Sequence, residues 1–166
     1  MMNAWGDVWK EDYQLKMQRD PTKIAFNQQN PFMEQSNDQS IDLLAQAREL
    51  VEQGKMQEAM LCLEAEVQKN AQNHEAWKLL GQLYQESDQD EKAIIAFKEA
   101  HEKDPYDLDS LLALGISFTN ELVEEDAFNY MLQWLKYHPE YQEIANAHSG
   151  NLDFIEIKNA FMAANQ

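Results

Sequence analysis

The chain has 166 residues, with 13 Lys and Arg against 30 Asp and Glu and a formal net charge of −17, a balance that repels phosphate backbones and excludes nucleic acid as the expected partner. Its one cysteine, Cys62, excludes an intrachain disulfide and any thiolate zinc site, which fits a reducing compartment. The longest apolar run, residues 111–116, is far short of the roughly 20 residues of a spanning helix, and few Gly and Pro among many Ala, Leu, Glu, Gln and Lys predict a single all-α domain.

The chain opens MMNAWGDVWKEDYQ, with acids and tryptophans where a secretory signal would carry basic residues and then an apolar stretch. Residues 1–39 read mostly as a flexible linker. They are rich in Gln and Asn, are interrupted by Pro21 and Pro31, and show little helical or strand periodicity. The tract from Trp5 to Met17 differs: Trp5, Trp9, Tyr13 and Met17 recur every four residues and would line one side of an induced helix, as in a docking peptide.

From residue 40 the sequence repeats itself. Ala59, Ala93 and Ala127 stand 34 residues apart, as do Leu63, Phe97 and Met131, and the pairs Leu80 and Leu114, Gly81 and Gly115, Tyr84 and Phe118, and Pro105 and Pro139 keep the same offset. Three units are expected, at about 40–73, 74–107 and 108–139, each a pair of antiparallel helices. In the middle unit Trp77, Leu80 and Tyr84 form the buried stripe of the first helix, and Ala93, Phe97 and Ala100 that of the second. Gly81 costs about 1 kcal/mol in mid-helix, so it marks a close approach, with Ala93 expected to face it. Pro105 ends the second helix and turns the chain. These eight residues together resemble the full tetratricopeptide signature, which implies stacked hairpins in a right-handed superhelix.

The first unit is weaker, with Gln46 and Ala47 where the middle unit has Leu80 and Gly81, a departure tolerable where one face meets water. Residues 140–166 read as a loop, then a helix capped by Asp153 and carrying Phe154, Ile157 and Phe161, the start of a degenerate fourth repeat. A longer polypeptide is therefore expected. Without a following partner, Phe128, Leu132 and Leu135 would be partly bare unless that last helix folds back.

Catalytic constellations fail one by one. None of His74, His101, His138 and His148 stands four residues from another, and the five glycines are too scattered for a phosphate loop. Cys62, between Leu61 and Leu63, reads as an inert, largely buried thiol. No enzyme activity, metal or cofactor is expected. What remains is the hollow side of the repeat stack, lined by the first helix of each pair. In the middle unit its positions are Glu75, Lys78, Gln82, Gln85 and Glu86, which read equally well as a solvated face. In the third unit they are Asp109, Leu112, Ile116, Thr119 and Asn120, where an apolar patch adjoins a hydroxyl and a carboxamide. One inward Asn can satisfy both an N–H and a C=O of an extended peptide.

The runs ALGISFTNE (113–121) and WLKYHPEY (134–141), with Asn30-Pro31-Phe32 and the Phe154 to Lys158 segment, resemble the repeat region of the import receptors for the C-terminal type 1 peroxisomal targeting signal, Ser-Lys-Leu and its variants. The resemblance covers about residues 28–166. It implies a cytoplasmic receptor that cycles to the membrane of peroxisomes or glycosomes. Asn120 would contact the cargo tripeptide, with Thr119 and Ile116 as neighbours, and later repeats would complete the groove. Asp88 and Asp90, in the acidic turn of the second unit, are candidates to attract the signal's lysine. Trp9-Lys-Glu-Asp-Tyr13 fits the Trp-x-x-x-Phe/Tyr pentapeptide by which such receptors dock to peroxisomal membrane proteins, whereas the overlapping Trp5-Gly-Asp-Val-Trp9 departs from it.

Three rivals remain. A co-chaperone adaptor clamping an acidic C-terminus needs a basic groove, and only Lys78 and Arg48 are candidates against Asp109, Glu75 and Glu86. A scaffold would meet partners through its convex side, and a regulatory domain would serve an enzyme encoded elsewhere. Peptide titration separates binder from scaffold.

Overall fold

The computed structural model describes residues 24–36, 38 and 40–143. Among them are seven helices and no strand: α1 Phe32–Gln35, α2 Leu43–Glu52, α3 Met56–Lys69, α4 His74–Glu86, α5 Asp90–Lys103, α6 Leu108–Asn120 and α7 Glu124–Tyr137. The last six form hairpins α2/α3, α4/α5 and α6/α7, and each second helix packs against the first helix of the next pair. Trp5, Trp9, Tyr13 and the Phe154 to Phe161 segment lie outside the described residues.

Local chemistry repeats with the period. Each first helix is opened by a side-chain cap: Asp42 accepts from the Ala45 N–H (2.9 Å), Asn73 from Ala76 (3.2 Å) and Asp107 from Ser110 (2.9 Å). Each closes on a left-handed residue, Gly54 (φ 74°), Asp88 (φ 56°) or Leu122 (φ 59°). The N–H groups of that residue and the next bond back to the last helical turn, as Leu122 does to Thr119 and Val123 to Phe118. The Asp42 cap also explains why α2 begins at Leu43.

The expected stripes are buried: Trp77, Leu80 and Tyr84 on α4, and Ala93, Phe97 and Ala100 on α5. A Cβ on Gly81 would stand 2.8 Å from both Cδ1 and Cε1 of Phe97, so the glycine makes room for an aromatic ring. Ala93 on α5 is fully buried. Leu135 is buried, and Phe128 and Leu132 are half-buried.

The segment before the first pair is not all linker. Ile24, Asn30 and Phe32 are buried, and α1 packs on α3. Asn30 anchors this strap: its Nδ2 donates to the Leu61 carbonyl (2.6 Å) and its Oδ1 accepts from the Phe32 N–H (2.9 Å). The Asn27 N–H donates to Glu64 (3.2 Å), and the Phe26 ring lies 6.4 Å from that of Trp77. The strap thus bridges the first two pairs. Periodicity missed it because its apolar residues are held one at a time, by side-chain and backbone hydrogen bonds.

At the other interface, His101 on α5 meets the edge of Tyr130 on α7 (centroids 5.7 Å apart), and its Nδ1 is buried without a partner. Burial pushes its pKa below the ordinary 6.5, against the opposing charges of Asp104, Asp107 and Glu102. A depressed folded-state pKa means the unfolded chain takes up the proton first. This contribution to stability is therefore complete above pH 6.5 and is lost as the pH falls below that value. His101→Phe keeps the edge contact and should flatten the decline in thermal midpoint between about pH 6.5 and 5, read by circular dichroism melts.

Candidate functional site

The third first helix, α6, carries the candidate site at its C-terminal end. Asp107 caps it with unusual thoroughness, accepting from both the N–H (2.9 Å) and the hydroxyl (2.6 Å) of Ser110. Leu111, Leu114 and Phe118 bury one face, and Leu112, Ala113 and Ile116 pack partly against the core. Ile116 therefore offers only part of its side chain. Thr119 donates its hydroxyl proton to the Gly115 carbonyl (2.7 Å), so toward a ligand it can only accept. Asn120, the last helical residue, is exposed and makes no side-chain hydrogen bond among the described residues. Both donors and the acceptor of its carboxamide remain available.

Asp88 lies in the turn between α4 and α5, and Asp90 is the first residue of α5. Both are exposed and carry no side-chain partner among the described residues. Asp88 occupies the same left-handed turn position as Leu122, 34 residues later. The two aspartates and Asn120 accordingly lie at the same edge of successive hairpins, on separate turns.

The basic residues that a carboxylate clamp would need are already engaged. The Lys78 ammonium contacts Asp107 (3.1 Å), Glu75 (3.2 Å) and Asp109 (3.4 Å), and its side chain is only 12% exposed. Burial acts against its charge, but the hydrogen bonds it donates to Asp107 and Glu75 outweigh it, and the Lys78 pKa stands above the ordinary lysine value. For Asp107, burial likewise acts first, and the bonds from Ser110 and Lys78 turn the balance and lower its pKa. Arg48 pairs with Glu75 at 3.3 Å. A chain of ion pairs therefore links α2, α4 and the start of α6 across the first-helix side. Sequence reading named Arg48, Glu75, Lys78 and Asp109 but not Asp107, and did not foresee that they would neutralise one another.

Cys62 is fully buried, with its thiol on the Leu43 carbonyl (3.2 Å), and burial followed by the Glu66 charge pushes its pKa up to about 12. It is no nucleophile. Among the described residues no cluster of three or more His, Cys, Asp or Glu could hold a metal ion, and no helix is long and apolar enough to cross a membrane.

Residues 74–107 match the tetratricopeptide repeat family model. The chain is 37% identical to "Peroxisome biogenesis protein 5" of Arabidopsis thaliana over 99% of its length and 22% of that relative. It is 31% identical to the "Peroxisomal targeting signal receptor" of Yarrowia lipolytica over 81% of the chain and 23% of the relative. With the "PEX5-related protein" of Homo sapiens it shares 29% identity over 61% of the chain and 16% of the relative. The chain thus spans about a fifth of the length of the curated relatives it matches.

Proposed function

The chain belongs to the peroxisomal targeting signal receptor family, and from that premise we propose that it takes part in capturing the C-terminal Ser-Lys-Leu type signal of proteins bound for the peroxisome or glycosome matrix. The work is binding, with no catalytic step. Asn120 grips peptide backbone through its free carboxamide, Thr119 accepts a hydrogen bond beside it, and the exposed part of Ile116 supports an apolar side chain. Asp88 and Asp90 attract the lysine of the signal from the neighbouring turn. Trp9 and Tyr13, with Trp5 nearby in sequence, dock the receptor on peroxisomal membrane proteins, and it cycles between cytoplasm and that membrane.

The observation that carries this reading is Asn120 itself: an exposed amide with no side-chain hydrogen bond among the described residues, at the end of a first helix whose Leu111, Leu114 and Phe118 are buried in the core. The engagement of Lys78 and Arg48 counts against a clamp for acidic C-termini. In the full-length protein, Asn120→Ala should weaken a fluorescent peptide ending in Ser-Lys-Leu by about 1–3 kcal/mol, the cost of leaving backbone polar groups unmatched. Anisotropy titration reads the change. An unaltered affinity would remove Asn120 from the site.

A further inference from the structure

The turn that closes each first helix requires left-handed backbone, and the residue supplying it runs from Gly54 to Asp88 to Leu122. Glycine adopts that conformation freely and aspartate at modest cost, whereas the Cβ of a leucine crowds the following carbonyl. Leu122 is also 83% exposed, so the position suffers both strain and contact with water. Its fold makes no use of the side chain. The Leu122 N–H closes the turn on Thr119, and it is the next residue, Val123, that packs against the core. Backbone strain retained at an exposed apolar residue points to a contact outside the fold. Leu122 stands two residues from Asn120 and is surrounded in sequence by the exposed carboxylates of Glu121, Glu124 and Glu125.

We propose that Leu122 is a specificity-determining residue at the rim of the groove, receiving an apolar side chain of the cargo peptide upstream of its captured C-terminus, where that side chain is flanked by a lysine or arginine. The proposal rests on the reading of Asn120 as the residue that grips the peptide. Leucine offers the apolar contact, and the surrounding carboxylates disfavour acidic peptides and favour a basic neighbour.

The test uses the full-length protein and two labelled peptides ending in Ser-Lys-Leu, one preceded by Leu-Arg and the other by Gly-Gly. Leu122→Gly should raise the thermal midpoint by about 2–4 °C, because the strain is relieved. It should weaken the Leu-Arg peptide about fivefold and leave the Gly-Gly peptide within about twofold. Leu122→Met, which keeps the apolar reach, should hold the Leu-Arg peptide within about twofold of the parent. Equal loss for both peptides, no loss for either, or a lowered midpoint overturns the assignment and leaves the Asn120 reading intact. Binding of neither peptide by the parent protein overturns both.

Discussion

Gly81→Val should destabilise the protein by about 3–5 kcal/mol and Gly81→Ala by about 0–2 kcal/mol, both read from urea denaturation midpoints. A Cβ at residue 81 would come within 2.8 Å of Cδ1 and Cε1 and 3.1 Å of Cγ of Phe97. That ring is 1% exposed and enclosed on all sides, so it cannot swing aside as a surface side chain would. Two effects oppose each other in the alanine variant. Helix propensity favours alanine by about 1 kcal/mol, while overpacking of a filled interior costs about 1–3 kcal/mol. Valine adds two methyl groups to the clash and gains less from propensity. Shortening the ring should rescue: Gly81→Ala with Phe97→Leu is expected to lose less than the sum of the single losses, because the two residues share one contact. If Gly81→Val proves as stable as the parent, α4 and α5 do not meet through this ring.

The spacing of Ala59, Ala93 and Ala127 made the hairpins legible, because a 34-residue offset leaves only one way to set the buried stripes face to face. Periodicity names the face of a helix but not which side chain crosses to the other, so the ring of Phe97 over Gly81 was not legible. The strap was hidden for a related reason: Ile24, Phe26 and Phe32 follow no regular spacing, and their position depends on the side-chain amide of Asn30. Asn120 was legible as a first-helix amide, and its place as the exposed last residue of α6 came only with the structure. Lys78 was not legible as a spent cation, since its carboxylate partners Asp107 and Asp109 lie 29 and 31 residues further on, at the start of α6. Leu122 carried a signal that was available but unread. The 34-residue offset aligns it with Gly54 and Asp88, and a leucine aligned with a glycine at a helix end signals strain.

Glu64→Ala should cost about 3–4 kcal/mol, more than its position among the apolar residues of α3 suggests. Its carboxylate is 5% exposed, and its two oxygens serve different elements. One accepts from the Tyr84 hydroxyl of α4 at 2.8 Å, the other from the Asn27 N–H of the strap at 3.2 Å. Burial, and then the Glu64 charge, push the Tyr84 pKa well up, so the phenol stays a donor throughout the physiological range. Removing the carboxylate leaves that hydroxyl buried without an acceptor, about 1–3 kcal/mol, and opens a cavity beside it. Adding Tyr84→Phe should therefore restore about 1–2 kcal/mol, because no orphaned donor remains. Glu64→Gln separates the two roles. A carboxamide can still accept from Tyr84 but places an NH2 group against the Asn27 N–H, so amide hydrogen exchange should quicken over residues 24–36 while α3 and α4 stay protected. Unchanged exchange there would mean that apolar contacts alone hold the strap. The consequence reaches the N-terminal aromatic residues. Ten residues lie between Tyr13 and Ile24, a reach of at most about 40 Å, so the strap determines where on the repeats that segment is tethered. The tether point is α3, a second helix, and Asn120 ends a first helix, so loosening the strap should leave peptide affinity at Asn120 unchanged.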